Sequence, residues 1–190
     1  MKHSPLIRHW FAALALCTLL FGAMPAHADE TAKTLLSKID QATWITEGHG
    51  PRLLYIFFDP NCPFCHKLFK ELRPHVEAGK VEVRWIPVGI LTSSSQGKAA
   101  AMLEAKDPLK ALYKNEQGWN TGPTPGGGLT PELHASRAVL MKLNINAALL
   151  SSSGAPGVPL TVFRADNGKD YSFPGAPDAQ QLAAILKHVK

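Results

Sequence analysis

Two cysteines separated by two residues are the side chains in this sequence best suited to chemistry, in the segment Cys62-Pro63-Phe64-Cys65. Proline is favoured at the first position of a helix, so the segment predicts a helix over residues 62–79 with Cys62 as its N-cap. Unpaired N–H groups and the positive end of the helix dipole favour a thiolate there, and we expect Cys62 to be an exposed nucleophile with a lowered pKa. Cys65 falls on the apolar face of this helix, where burial should keep it protonated until it resolves a mixed disulfide on Cys62.

Other interpretations of the cysteine pair differ in what they require of the chain. A structural disulfide would stabilise little, because the loop that it closes is so short. A zinc site needs a second pair of ligands, and no metal site is predicted because none is suitably spaced. With His66, the segment also matches the c-type haem attachment pattern C-x-x-C-H, so a c-type haem protein stays an alternative. His66 follows Cys62 by one helical turn, and as a cation it would favour the Cys62 thiolate by lowering its pKa.

The first 28 residues have the pattern of a cleaved signal peptide. Lys2 and Arg8 precede an apolar segment at residues 10–24, and Ala26-His27-Ala28 supplies the small residues of a cleavage site. Export predicts an oxidising compartment, the periplasm, in which the mature chain would keep only Cys62 and Cys65. We expect residues 29–190 to form a single domain. No apolar stretch reaches the roughly 18 residues of a spanning helix, so stable membrane insertion is not expected.

Composition excludes several other classes. The chain has 190 residues, of which 45% are hydrophobic and 18% charged, as in a globular domain rather than a disordered chain. Its formal net charge of +5 comes from scattered basic residues, so no nucleic-acid partner is predicted.

The elements around the cysteines predict an α/β fold. An apolar run at residues 52–58 precedes the predicted helix, and an alternating run follows at 80–88, which indicates two parallel strands joined by that helix. Residues 92–152 are predicted to be mostly helical, with helices at 98–106, 108–115 and 131–143. The triplet Gly126-Gly127-Gly128 is interpreted as part of a flexible connector rather than a phosphate-binding loop. Strands at 158–164 and 169–173 and a helix at 178–189 complete the chain.

Several segments together resemble the periplasmic thiol:disulfide interchange proteins of the DsbC/DsbG type, most closely the DsbG branch. The resemblance lies in Tyr55-Ile56-Phe57-Phe58-Asp59-Pro60-Asn61 with the cysteine motif, Leu72-Arg73-Pro74, Gly79-Lys80-Val81, Val88-Gly89, Ala105-Lys106-Asp107-Pro108 and Val158-Pro159. It implies a thioredoxin fold with a helical insertion at about residues 92–152. It also implies a periplasmic thiol-disulfide oxidoreductase that acts on exported client proteins with cysteines and is reset by a membrane thiol-disulfide redox partner. No cofactor is implied beyond the redox-active disulfide of Cys62 and Cys65.

The resemblance gives roles to further residues. It implies a cis peptide bond at Pro159 beside the cysteines, with Val158 offering its backbone to an extended client peptide. Pro63 and Phe64 are expected to contact the client as well. Val158 departs from the threonine usual in the DsbG branch. Ile56 occupies the place of the buried aspartate of thioredoxin, and Asp59 is expected only to end the strand, without a catalytic role.

Two expectations concern assembly and an alternative function. Too few residues precede the strand at 52–58 for the N-terminal dimerisation domain of DsbC and DsbG proteins, so a monomer with weak isomerase activity is expected. The alternative function is a non-catalytic peptide-binding chaperone that uses the apolar surface around Phe64 and Val158.

Overall fold

The computed structural model describes residues 30–190 and contains one five-stranded mixed sheet. The strand order across the sheet is β1-β3-β2-β4-β5. β2 and β3 run parallel, as expected from the sequence, and the other three pairs are antiparallel. The strands in chain order are β1 (Ile45–Gly48), β2 (Arg52–Phe58), β3 (Val81–Pro87), β4 (Leu160–Arg164) and β5 (Asp170–Pro174). The predicted signal peptide lies outside the described residues.

Six α-helices flank the sheet, and a short 3-10 helix (Ile39–Gln41) follows the first of them. The α-helices are α1 (Glu30–Ser37), α2 (Pro63–Glu77), α3 (Ser95–Glu104), α4 (Pro108–Gln117), α5 (Arg137–Ser152) and α6 (Ala179–Leu186). In the part of the chain that the structure describes, no helix is both long and apolar enough to cross a membrane.

Strand β2 is the centre of two apolar cores, because its side chains alternate between the two faces of the sheet. Leu54, Ile56 and Phe58 pack into the core that contains both cysteines and the apolar side of α2. Tyr55 and Phe57 pack on the opposite face, in the core that includes residues of α1 and the end of α5. The strand therefore has the two-sided burial that its continuous apolar sequence predicts.

The helical insertion is confirmed, but the predicted bounds of its last helix are wrong. That helix, α5, covers Arg137–Ser152 instead of residues 131–143. It begins late because the side chain of Ser136 accepts a hydrogen bond from the Val139 N–H and so serves as the N-cap. It continues further because Leu149 and Leu150 are buried against the sheet, a contact that local periodicity does not reveal.

A buried ion pair connects β1 to the middle of α2. The two carboxylate oxygens of Glu47 accept hydrogen bonds from Arg73 Nη1 and Nη2 at 2.5 and 2.7 Å, and Trp85 Nε1 donates to Glu47 at 2.8 Å. Burial raises the pKa of Glu47, but these hydrogen bonds outweigh it and hold the pKa below its usual value. Arg73 also donates to the Tyr113 hydroxyl of α4, so one guanidinium joins the strand, α2 and the insertion.

Candidate active site

Cys62 and Cys65 lie at the start of α2, where the chain leaves the central strand. Cys62 is the N-cap, and its Sγ accepts a hydrogen bond from the Cys65 N–H at 3.2 Å. Pro63 occupies the first turn, as predicted. Both cysteines are free thiols in this structure. The local sequence therefore places one sulfur among the unpaired N–H groups of the helix and the other one turn further along.

The two thiols have pKa values displaced in opposite directions. The pKa of Cys62 is lowered, chiefly because the Cys65 thiol donates a hydrogen bond to the Cys62 sulfur. Burial raises this pKa, but the backbone N–H groups of Cys65 and Phe64 lower it further. Burial raises the pKa of Cys65 well above its usual value, and the adjacent Cys62 sulfur raises it further. Cys62 is thus the thiol that ionises first.

The expectation that Cys62 is exposed is wrong. Cys62 and Cys65 are both 2% exposed. The Cys62 thiol lies 3.6 Å from the carbonyl oxygen of Val158, to which it can donate a hydrogen bond. The segment before β4 therefore lies against the sulfur, and the electrostatic surroundings of the two thiols, not their exposure, distinguish them.

The Val158–Pro159 peptide bond is cis, as expected. Pro159 is buried and leads directly into β4, which pairs with β2 through Leu160 opposite Phe57. This pairing brings the cis peptide to the end of β2 from which the cysteine motif begins. Residues almost a hundred positions apart in sequence thus form one site.

His66 contacts the insertion. Its Nδ1 lies 2.7 Å from Oε2 of the buried Glu116, and its ring stacks on Trp119 with the ring centres 4.4 Å apart. An influence of His66 on the Cys62 thiolate stays a prediction. Haem attachment would use the His66 imidazole as a ligand of the haem iron, and its contact with Glu116 and its stacking on Trp119 do not fit that alternative. Among residues 30–190, no group of three or more His, Cys, Asp or Glu side chains could hold a metal ion.

Asp59 has more contacts than a residue that only ends a strand. It is buried, and its Oδ1 accepts hydrogen bonds from the Asn61 N–H at 2.8 Å and the Ser95 hydroxyl at 2.7 Å. Its Oδ2 accepts from the Ile90 and Leu91 N–H groups at 2.6 and 2.9 Å. The carboxylate therefore fastens the cysteine motif to the segment that follows β3. An aspartate three residues before Cys62 was a signal for this role, but three of its four donors lie more than thirty residues further along the chain.

The glycine triplet packs behind the cysteine motif, so its interpretation as part of a flexible connector is wrong. The Gly127 N–H donates to the Pro60 carbonyl at 3.1 Å. Lys98 Nζ donates to both the Gly127 carbonyl and Asn61 Oδ1, at 2.5 and 2.7 Å. A Cβ at Gly127 would lie 2.0 Å from Asn115 Oδ1, so only glycine fits there without displacing its neighbours. The loop is held in place by the same residues that shape the cysteine motif.

This fold and site define the class of the protein. Residues 39–190 match the family of the thioredoxin-like domain, and the chain belongs to that family. The expected resemblance to DsbG is confirmed: the chain is 40% identical over 157 residues to the thiol:disulfide interchange protein DsbG of Pseudomonas aeruginosa, an alignment that covers 82% of this chain and 59% of the relative. DsbG of Escherichia coli is 29% identical over 158 residues, with 81% and 61% covered.

A solved structure supports the same fold. The catalytic domain of Proteus mirabilis ScsC superimposes with a TM-score of 0.62 at 22% identity, covering 82% of this chain and 96% of that one. At this identity the likeness shows the fold alone, which is the expected thioredoxin fold. The chain spans about 60% of the length of the two curated relatives that it matches.

Proposed function

We propose that this protein is a thiol-disulfide oxidoreductase that exchanges disulfides with client proteins through Cys62 and Cys65. The observation that carries the proposal is the position of the Cys62 sulfur at the N-cap of α2, where it accepts the Cys65 N–H and lies against the Val158 carbonyl beside the cis peptide. The lowered pKa of Cys62 and the raised pKa of Cys65 support it. A sulfur that ionises early attacks, whereas a protonated neighbour waits until a mixed disulfide has formed. The similarity to the DsbG proteins supports this chemistry.

The exchange proceeds in two steps when the reduced pair meets a client disulfide. The Cys62 thiolate bonds to one client sulfur, and the other client sulfur leaves as a thiolate that takes a proton from solvent. Cys65 then loses its proton to solvent and bonds to Cys62 as the bond from Cys62 to the client breaks. The client gains two electrons and the cysteine pair loses two. The reverse sequence oxidises a client dithiol.

Substitution of each cysteine separates the two roles. Cys62→Ser should abolish exchange with a disulfide-containing peptide, because the attacking thiolate is lost. Cys65→Ser should accumulate a mixed disulfide on Cys62, visible by mass spectrometry and released by a reductant. The protein that carries both Cys62→Ser and Cys65→Ser is the control for peptide binding that involves no thiol. Mixed disulfides on Cys65 in the Cys62→Ser protein at an equal rate would contradict the assignment.

Val158, Pro159, Pro63 and Phe64 are proposed to contact the client around the attacked sulfur. The Val158 backbone lies against Cys62, and the Phe64 side chain is 62% exposed beside it. An extended client segment would find backbone groups on one side of the sulfur and an apolar ring on the other. Phe64→Ser should raise the KM for a peptide disulfide and leave the rate with a small disulfide unchanged.

A second candidate function is that of a non-catalytic peptide-binding chaperone. It is favoured by exposed apolar side chains near the site, since Ile90 and Leu91 are half exposed in addition to Phe64. Suppression of client aggregation that persists after both cysteines are replaced by serine would favour this candidate. If the protein with both cysteines replaced by serine no longer suppresses aggregation, the oxidoreductase function alone is favoured.

We further propose that residues 1–28 direct export to the periplasm and that residues 29–190 form one domain after cleavage. The clients would then be exported proteins with cysteines, and a membrane thiol-disulfide redox partner would reset the Cys62–Cys65 pair. N-terminal sequencing of protein from the periplasmic fraction tests the cleavage. The redox state of the pair in cells, with and without the candidate membrane partner, tests the resetting.

The monomeric state and weak isomerase activity remain separate predictions. Light scattering on the purified mature protein measures the first, and refolding of a scrambled-disulfide substrate measures the second. A stable dimer with strong isomerase activity would contradict both.

A further inference from the structure

An open groove of about 800 Å³ lies on the helical insertion, where α3 leads into α4. Its apolar floor includes Ala105, Ala111 and Leu129. We call it the lysine groove, because its rim carries three exposed lysines, Lys106, Lys110 and Lys114. A surface of this kind is complementary to a partner that is both apolar and acidic.

The lysines of the rim have no ion-pair partner among residues 30–190. Asp107 also lines the groove, and its Oδ1 accepts a hydrogen bond from the Lys110 N–H at 3.0 Å as the N-cap of α4. Glu104, at the end of α3, accepts a hydrogen bond from the Ser136 N–H at 2.7 Å, and Glu116 of α4 is buried. Three lysines against one aspartate therefore leave the groove positively charged.

The positions of these lysines do little to stabilise α4. Lys110 lies in the first turn, at the positive end of the helix dipole, and no acidic residue occupies that turn. Lys114 is favourably placed in the last turn, but it follows Lys110 by one turn on the same side of the helix, so the two ammonium groups repel each other. The stability of the helix does not account for this arrangement, whereas binding of an acidic partner would.

We propose that the lysine groove binds an acidic amphipathic helix of a partner protein. The bound helix places leucine-like side chains on the apolar floor and carboxylates against the rim. Lys110 and Lys114 are separated by about 6 Å along the axis of α4, and glutamates one turn apart on the partner match that separation. The inference goes beyond disulfide exchange and does not depend on the cysteines.

Titration calorimetry with a synthetic helical peptide tests the proposal, using a peptide with leucines along one face and glutamates on both flanks. Substitution of both Lys110→Gln and Lys114→Gln should raise the Kd by about five- to tenfold, the effect of losing two partly exposed ion pairs. Substitution of both Lys142→Gln and Lys187→Gln is the matched control, because it removes two exposed lysines from α5 and the end of α6 and lowers the net charge equally. The control should bind as the parent does. Added salt should weaken binding by the parent more than binding by the Lys110 and Lys114 variant.

Altered ligands separate the rim from the floor. A peptide with glutamine in place of each glutamate tests the rim, one with serine in place of each leucine tests the floor, and both should bind more weakly. The Lys110 and Lys114 variant should be at least as stable to urea as the parent, because it removes a repulsion, so weaker binding does not reflect unfolding. Equal binding of the glutamine peptide, or equal Kd values for the two double variants, would overturn the inference. Binding to vesicles of phosphatidylglycerol that requires Lys110 and Lys114, with no binding of the peptide, would also overturn it in favour of a membrane surface.

Discussion

Replacement of Asp59 by asparagine should make the protein less stable and its thiols more acidic at the same time. The carboxylate accepts two hydrogen bonds on each oxygen, from Asn61 and Ser95 on one and from Ile90 and Leu91 on the other. Asparagine presents one oxygen and one NH₂ group of similar size. If its oxygen keeps the Ile90 and Leu91 N–H groups, its NH₂ faces the Asn61 N–H, which then has no acceptor.

The loss of stability follows from the unpaired donor and the missing charge. A hydrogen bond to a charged group contributes about 1.5–3 kcal/mol, and a buried donor left without a partner costs about as much. The Ser95 oxygen already accepts hydrogen bonds from Asn61 Nδ2 and the Thr92 N–H, so it does not replace the lost contact by accepting from the new NH₂. We expect a loss of about 3 kcal/mol, which for a domain of this size lowers the Tm by about 6–12 °C.

The thiols should respond in the opposite sense. The Cys65 hydrogen bond is the largest effect on the pKa of Cys62, and burial is the largest on that of Cys65, but the Asp59 charge raises both. Removing the charge should lower both pKa values and speed alkylation of Cys62 at mildly acidic pH, where the thiolate fraction limits the rate.

Ser95→Ala is the matched control, because it removes one donor to the carboxylate and keeps the charge. It should cost about 1–2 kcal/mol and leave the pH profile of alkylation in place. Urea unfolding and alkylation rates across pH measure both variants. If Asp59→Asn shifts the alkylation profile no more than Ser95→Ala does, the charge does not act on the thiols as we have argued.

Three further predictions concern the packing around the site. Gly127→Ala should destabilise by about 1–3 kcal/mol through overpacking, whereas Gly122→Ala in the exposed part of the same loop should change the urea midpoint little. Arg73→Met should lower the free energy of unfolding by about 3–5 kcal/mol because it leaves the buried Glu47 carboxylate unpaired. Arg164→Met removes an exposed ion pair and should leave the free energy of unfolding close to that of the parent. Equal losses in the two variants would contradict the argument from burial. Burial raises the folded-state pKa of Glu47, but hydrogen bonds hold it below the usual value. The stability that Glu47 contributes is therefore fully present above its unfolded-state pKa and is lost as the pH falls through its folded-state pKa. Arg73→Met should flatten that part of the curve of unfolding free energy against pH.

The sequence alone predicted the parts of the site that depend on neighbouring residues. Proline after Cys62 predicted the helix start, and apolar spacing predicted that Cys65 faces the core; both are features of a single turn of chain. The continuous apolar run predicted β2 with its observed bounds, since a strand buried on both faces needs no polar alternation. The cis peptide at Pro159 was expected from the resemblance, not from local sequence.

Only the tertiary structure decided which distant groups meet at the cysteines. Asp59 looked like a strand end because three of its four donors lie on the segment after β3 and on α3. The glycine triplet looked like a connector because its contacts are with residues just before the cysteines, far away in sequence. Cys62 was expected to be exposed because a helix N-cap usually is, but the Val158 segment, brought in by the pairing of β4 with β2, covers it. Hydrogen bonds and packing between residues far apart in the chain leave no periodic pattern in sequence, so the buried polar contacts that tune the site became visible only in the folded chain.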